Sequence, residues 1–172
     1  MGQSKLSAGS TPLGPSGPAS KAPRLCELSH EIELPSWASR HEGECHCDVH
    51  SRYAHYLDAA RAALLARYDY GDAQMLASGY AWPIVEMHMR YMAPFEPDQP
   101  VRIRATIVEW EHRLGIDYLV SSMRTGKRLH RASSVQVALE IATGRMCWAS
   151  PSVLREKLGI AAPLHPAPGE ES

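Results

Sequence analysis

Between residues 52 and 68, "RYAHYLDAARAALLARY", apolar positions return at spacings of three and four. Tyr53, Tyr56, Leu57, Ala60, Ala63 and Leu64 fall on one stripe of an α-helix, so the segment predicts a helix with one buried face. Ser51 is a fitting N-cap, because its hydroxyl can accept a bond from a first-turn backbone N–H. From residue 81 the period changes to two. In 81–92, Val85, Met87, Met89 and Tyr91 alternate with Ile84, Glu86, His88 and Arg90. In 101–110, Val101, Ile103, Ala105 and Ile107 alternate with Arg102, Arg104, Thr106 and Val108. The pattern continues over 116–123 and over 130–141, where Val135, Val137, Leu139 and Ile141 are set against Ser134, Gln136, Ala138 and Glu140. Such alternation predicts antiparallel strands with one polar face. A further strand is expected over 25–34 and a last one over 145–149. "TGK" at 125–127 and "TGR" at 143–145 read as hairpin turns. Pro151 opens a short helix over 152–158, which Gly159 stops.

The order is strand, one long helix, then a meander of strands. It predicts an α+β domain: an antiparallel sheet of about five to six strands wrapped around one central helix. The 172 residues contain no internal repeat and suit a single domain. Pro, Gly and Ser dominate 1–23, read as a disordered leader, and 161–172 is read as a similar tail. The folded domain is placed at 24–160.

Hydrophobic residues make up 44% of the chain, enough for a core, and the formal net charge is −1. That balance exerts no general pull toward nucleic acid or an anionic membrane. No apolar run approaches the roughly 20 residues of a membrane span. No apolar region follows the N-terminus as in a secretory signal, and Leu6 stands where a myristoylation signal needs Ser or Thr. A cytoplasmic protein with no nucleic-acid or membrane partner is expected. Its four cysteines, Cys26, Cys45, Cys47 and Cys147, are then free thiols.

Residues 44–50, "ECHCDVH", concentrate candidate chemistry just ahead of the helix. Cys45, Cys47 and His50, with His46 or Asp48 as a fourth ligand, would make one kind of zinc site. Structural zinc sites use C-x₂₋₄-C with a distant second pair, which is absent here. A thiolate at the helix start is a second option. No metal and no cofactor are expected.

"HSRYAHYLDAARAALL" (50–65) resembles the H-x-N-Y-x-x-Y-x-E-x-A-R segment of hot-dog fold acyl thioesterases of the 4-hydroxybenzoyl-CoA thioesterase type. "SGYAWPIVEMHMRYMAPFEPDQPVRIRATIVEWEHRLGIDYLV" (78–120) and "VQVALEIATGRMCWASPSVLREKLG" (135–159) resemble the branch found with fatty-acid-like and aryl polyene biosynthesis. The resemblance covers about 24–159 and implies the hot-dog fold. It implies hydrolysis of acyl-CoA or acyl-carrier-protein thioesters by a homodimer or homotetramer, with the acyl slot between subunits.

Thioester hydrolysis needs an activated water or an attacking carboxylate, and donors for the developing oxyanion. By resemblance, an acid ahead of the helix does the first and backbone N–H groups at the helix start do the second. The family's D-x-D-x-x-G-x-V-x-x-H motif puts Gly43 in the acid slot. Glu44, Glu42 and Asp48 are the remaining carboxylates, Glu44 foremost, with His50 orienting water or bonding the thioester. Ser51 and Tyr53 at the helix start, and Arg124, Lys127 and Arg128 in "MRTGKRLHR", would meet the substrate, the latter through CoA phosphates or an acidic carrier. Asp58 is expected to pair with Arg61. Trp82, Met87, Met89 and Tyr91 are expected in the core, some lining the acyl slot. Gly43 in the acid slot also fits a different class, a hot-dog protein that binds acyl groups or a partner without hydrolysis. A hot-dog dehydratase is a third reading, disfavoured by the helix-start wording.

Overall fold

The computed structural model describes residues 28–34, 48–94 and 99–160, and of residues 48–52 the backbone course only. The leader, the tail, Cys26, and the stretch with Glu42, Glu44, Cys45 and Cys47 lie outside the described residues.

Strand β1 (Ser29–Leu34) precedes helix α1 (Asp48–Ala66). Helix α2 (Asp72–Ala77) and strands β2 (Tyr80–Ala81) and β3 (Ile84–Tyr91) follow. Then come β4 (Val101–Glu109), β5 (Leu114–Ser122), β6 (Arg128–Gln136), β7 (Leu139–Glu140), β8 (Arg145–Met146) and helix α3 (Ser152–Lys157). The large sheet has the order β1-β4-β5-β6-β3 and is antiparallel throughout. The small sheet has the order β2-β7-β8. The strands therefore do not run as a simple meander: β3 crosses to the far edge and pairs with β6.

Helix α1 begins five residues ahead of its apolar stripe, so Ser51 lies in the first turn and is not the N-cap. Residues 48–52 contain no Gly or Pro to stop the helix, and an acidic residue suits its positive end. The stripe packs as expected. Leu57, Ala60, Leu64 and Leu65 share one buried cluster with Val101, Ile103, Ala105, Ile107, Ile116 and Val120. Burying each of the Leu, Ile and Val side chains contributes about 1.5–3 kcal/mol. This face of the large sheet is thereby the helix face. The opposite face carries Arg102 and Arg104, each paired with a β1 glutamate, Glu33 and Glu31.

Two expected strands are split in the structure. Segment 81–92 breaks at Trp82-Pro83 into β2 and β3, because Pro83 has no N–H for a ladder. Segment 130–141 breaks after Gln136, where Val137 N–H donates instead to the Pro83 carbonyl at 3.3 Å. The β6 face assignment is reversed. Ser134 and Gln136 point to the helix face with His130 and Ala132, and Val135 lies on the other side, half-buried. Polar partners make this possible: Ser134 Oγ lies 3.0 Å from Tyr118 OH, and Arg61 Nη1 donates to Gln136 Oε1 at 3.5 Å. On β3, Met87 and Met89 pack against the core as expected. Trp82 is buried, its Nε1 donating to Tyr70 OH at 3.0 Å, but Tyr91 is 49% exposed and so not a core residue.

Both expected hairpins are present. Gly126 (φ +70°) and Gly144 (φ +67°) take the left-handed conformation their turns require, which a side chain would strain.

Candidate active site at the start of the long helix

An α-helix leaves its first N–H groups without partners inside the helix, and its dipole makes that end attractive to negative charge. In α1 these groups belong to residues 48–51. One turn further in, Tyr53 turns its ring into the protein and is only 3% exposed. It meets His130 edge-on, with centroids 4.6 Å apart and planes at 86°. It also meets Tyr91 at 5.3 Å and 72°. Tyr91 and His130 are opposed in the β3–β6 ladder, and their rings stack at 4.7 Å and 22°. Three rings, from α1, β3 and β6, thus form one wall beside the helix start. Tyr53 is its buried side and Tyr91 its solvent side.

Burial, helped by the neighbouring Tyr91 and Tyr56 phenols, pushes the Tyr53 hydroxyl up to about 12. A phenol held neutral to that pH is a hydrogen-bonding group and not a base. His130, fully buried on β6, is the component of this wall that sequence reasoning missed. It sits in phase with Ser134 and Gln136, which the alternation had set on the polar face.

The β5–β6 hairpin closes at the same end, since Arg128 opens the strand that carries His130 two residues on. Ser122 Oγ organises the turn, accepting from Gln99 Nε2 at 2.5 Å and from the Arg124 and Thr125 N–H groups at 3.2 Å each. Arg124, Lys127 and Arg128 are exposed around it. The structure therefore brings Tyr53 to the wall and the basic turn to the same end of the sheet. It describes Asp48, His50 and Ser51 through their backbone alone, in the first turn of α1.

Asp58 lies nearly three turns along α1, largely exposed, where it accepts from Arg61 Nε at 2.9 Å. Arg61 is mostly buried and continues to Gln136. Beneath them burial pushes the Tyr118 phenol up to about 12, against its bond to Ser134. Asp58 thus belongs to a polar brace between helix and sheet. Among the described residues no group of three or more His, Cys, Asp or Glu side chains is placed to hold a metal. Among the same residues, no helix is long and apolar enough to cross a membrane.

A profile of the thioesterase-like superfamily matches residues 44–158, which include the whole of this wall and the basic turn. No curated protein matches the chain. Several solved structures do. A 1,4-dihydroxy-2-naphthoyl-CoA thioesterase from Synechocystis superposes with a TM-score of 0.63 at 16% identity, over 76% of this chain and 96% of that one. A gentisyl-coenzyme A thioesterase gives 0.59 at 17% identity, over 73% and 99%. A 4-hydroxybenzoyl CoA thioesterase mutant, complexed with 4-hydroxybenzoyl CoA, gives 0.62 at 17% identity, over 76% and 98%. The architecture is the hot-dog fold, as the sequence resemblance implied.

Proposed function

Because the chain belongs to the thioesterase-like superfamily, we propose that it is an acyl thioesterase that hydrolyses acyl-CoA esters at the start of α1. The observation that carries the reading is the wall of Tyr53, His130 and Tyr91 beside the helix N-terminus. In this reading the thioester carbonyl oxygen points at the free N–H groups of residues 48–51. They hold the charge that develops when water adds to the carbonyl carbon. A carboxylate of the preceding segment takes the proton from that water, Glu44 foremost, with Glu42 and Asp48 as the alternatives. His50 orients the water. The carbon–sulfur bond then breaks, the thiolate takes up a proton, and acid and thiol leave. Ser51 and Tyr53 position the ester, and Arg124, Lys127 and Arg128 meet the phosphates of CoA. The same exposed cations suit an acidic acyl-carrier protein.

The solved relatives named above are called thioesterases of naphthoyl, gentisyl and hydroxybenzoyl esters, all aromatic acyl groups. The exposed Tyr91 ring offers such a group a face to stack on, so aryl-acyl thioesters are the favoured substrates. Among the described residues strand β3 has a strand partner on one side only, and that edge suits pairing with a second copy in a homodimer or homotetramer. The cytoplasm, where acyl-CoA is available, is the proposed compartment. The test is thiol release from a panel of aryl- and alkyl-CoA esters. Release of none would favour acyl binding without hydrolysis, the reading for which Gly43 in the family's acid slot speaks.

A further inference from the structure

The face of the large sheet turned away from α1 holds an open depression of about 620 Å³. Its chemistry comes from His88 and Arg90 on β3, Arg131 and Ser133 on β6, Asp117 on β5 and Arg104 on β4. Arg90 and Arg131 are directly opposed in the β3–β6 ladder, an arrangement of like charges that weakens strand pairing. Elsewhere on this face the fold avoids such a clash: Arg102 and Arg104 each face and bind a glutamate of β1. Among the described residues, Arg90 and Arg131 have no carboxylate within ion-pair distance. His88 is held by Glu86 at 2.5 Å. Asp117 lies one row along, opposite Ser133 on one side and Thr106 on the other.

We propose that this depression is a second ligand site, for a phosphorylated ribonucleotide. Two adjacent guanidiniums carry more charge than a single carboxylate ligand would neutralise. A phosphoryl group supplies up to two negative charges and several oxygens, and can take fork-like bonds from both arginines. Ser133 adds a hydroxyl donor. Asp117 repels a bare anion but accepts from a hydroxyl, which selects a phosphate carried on a sugar. The site faces away from α1, so it is separate from the reacting ester of the same subunit and does not depend on the thioesterase reading. Two sources share this chemistry: the phosphorylated ribose of CoA, and a free nucleotide such as ADP.

Calorimetric titration of the full chain with ADP, inorganic pyrophosphate and CoA tests the proposal. ADP is expected to bind, and Arg90→Gln or Arg131→Gln to weaken it roughly ten-fold or more, the scale of a lost charge-assisted bond. Asp117→Asn is expected to weaken ADP while leaving pyrophosphate unchanged or tighter. A CoA isotherm with a binding event that disappears in Arg131→Gln identifies CoA as a source; one unaffected by it leaves the free nucleotide. Melting without ligand is expected to hold steady or rise in both arginine variants, because a like-charge contact is removed. The proposal fails if ADP does not bind at millimolar concentration. It fails equally if the arginine variants bind ADP as the parent does, or if they unfold the chain.

Discussion

The phenol ring of Tyr91 lies flat on the imidazole of His130, 4.7 Å away, at directly opposed positions of two paired strands. Tyr53 meets both rings edge-on, so the first turns of α1 are tied to the edge strand β3 through a buried histidine. The helix start and the β3 side of the sheet are therefore packed together through these rings.

Tyr91 is half-exposed, so replacing it tests recognition with little effect on folding. Tyr91→Ala should raise KM for aryl-acyl thioesters up to about ten-fold, the scale of one aromatic contact at 0.5–1.5 kcal/mol. Alkyl esters should be affected less, and the melting temperature should shift little. Steady-state kinetics on a matched aryl and alkyl pair, with thermal melts alongside, checks this.

Burial raises the Tyr53 and Tyr118 phenols from 10 to about 12 in the folded chain. Between those values the unfolded chain has released the protons and the folded chain has not. By linkage, stability is fully present below pH 10 and falls as pH rises toward 12. Tyr118→Phe should flatten this alkaline loss, at the cost of the bond to Ser134. Denaturant midpoints between pH 9 and 12 measure the slope; an unchanged slope would contradict the assignment.

The basic hairpin should act on the phosphate end of the substrate and not on the chemistry. Lys127→Glu should raise KM for acyl-CoA several-fold while leaving kcat nearly unchanged. The difference should shrink as salt screens these exposed charges. An acyl thioester of N-acetylcysteamine, which has no phosphates, should be turned over equally by both proteins.

Glu44→Gln should lower turnover by ~10²-fold or more, as for a lost general base, with the melting temperature unchanged. Glu42→Gln and Asp48→Asn should cost less. If all three variants keep full turnover, no carboxylate of this segment activates the water.

Elements facing one neighbour on one side and water on the other were legible in the sequence. The α1 stripe and the alternation of Val101, Ile103, Ala105 and Ile107 on β4 are of this kind. Strand β6 was not, because its inward polar residues find partners remote in sequence. Ser134 meets Tyr118, Gln136 meets Arg61, and His130 meets Tyr53 and Tyr91. A local pattern prices such residues as solvent-facing, and so it hid the histidine that helps build the wall. The move of β3 to the sheet edge was likewise invisible, since strand order depends on pairing at a distance. Of the three candidate carboxylates, Glu42 and Glu44 lie outside the described residues, and Asp48 is described through its backbone alone.

The most direct test of the central claim is thiol release by the full-length chain, monitored with a thiol reagent. The panel should run from benzoyl- and hydroxybenzoyl-CoA to short and long alkyl-CoA esters. Release is expected from at least one ester, fastest for an aryl group, and slowed by both Glu44→Gln and Tyr91→Ala. No release from any CoA or carrier-protein ester, with the chain still binding them, would contradict hydrolysis at the start of α1.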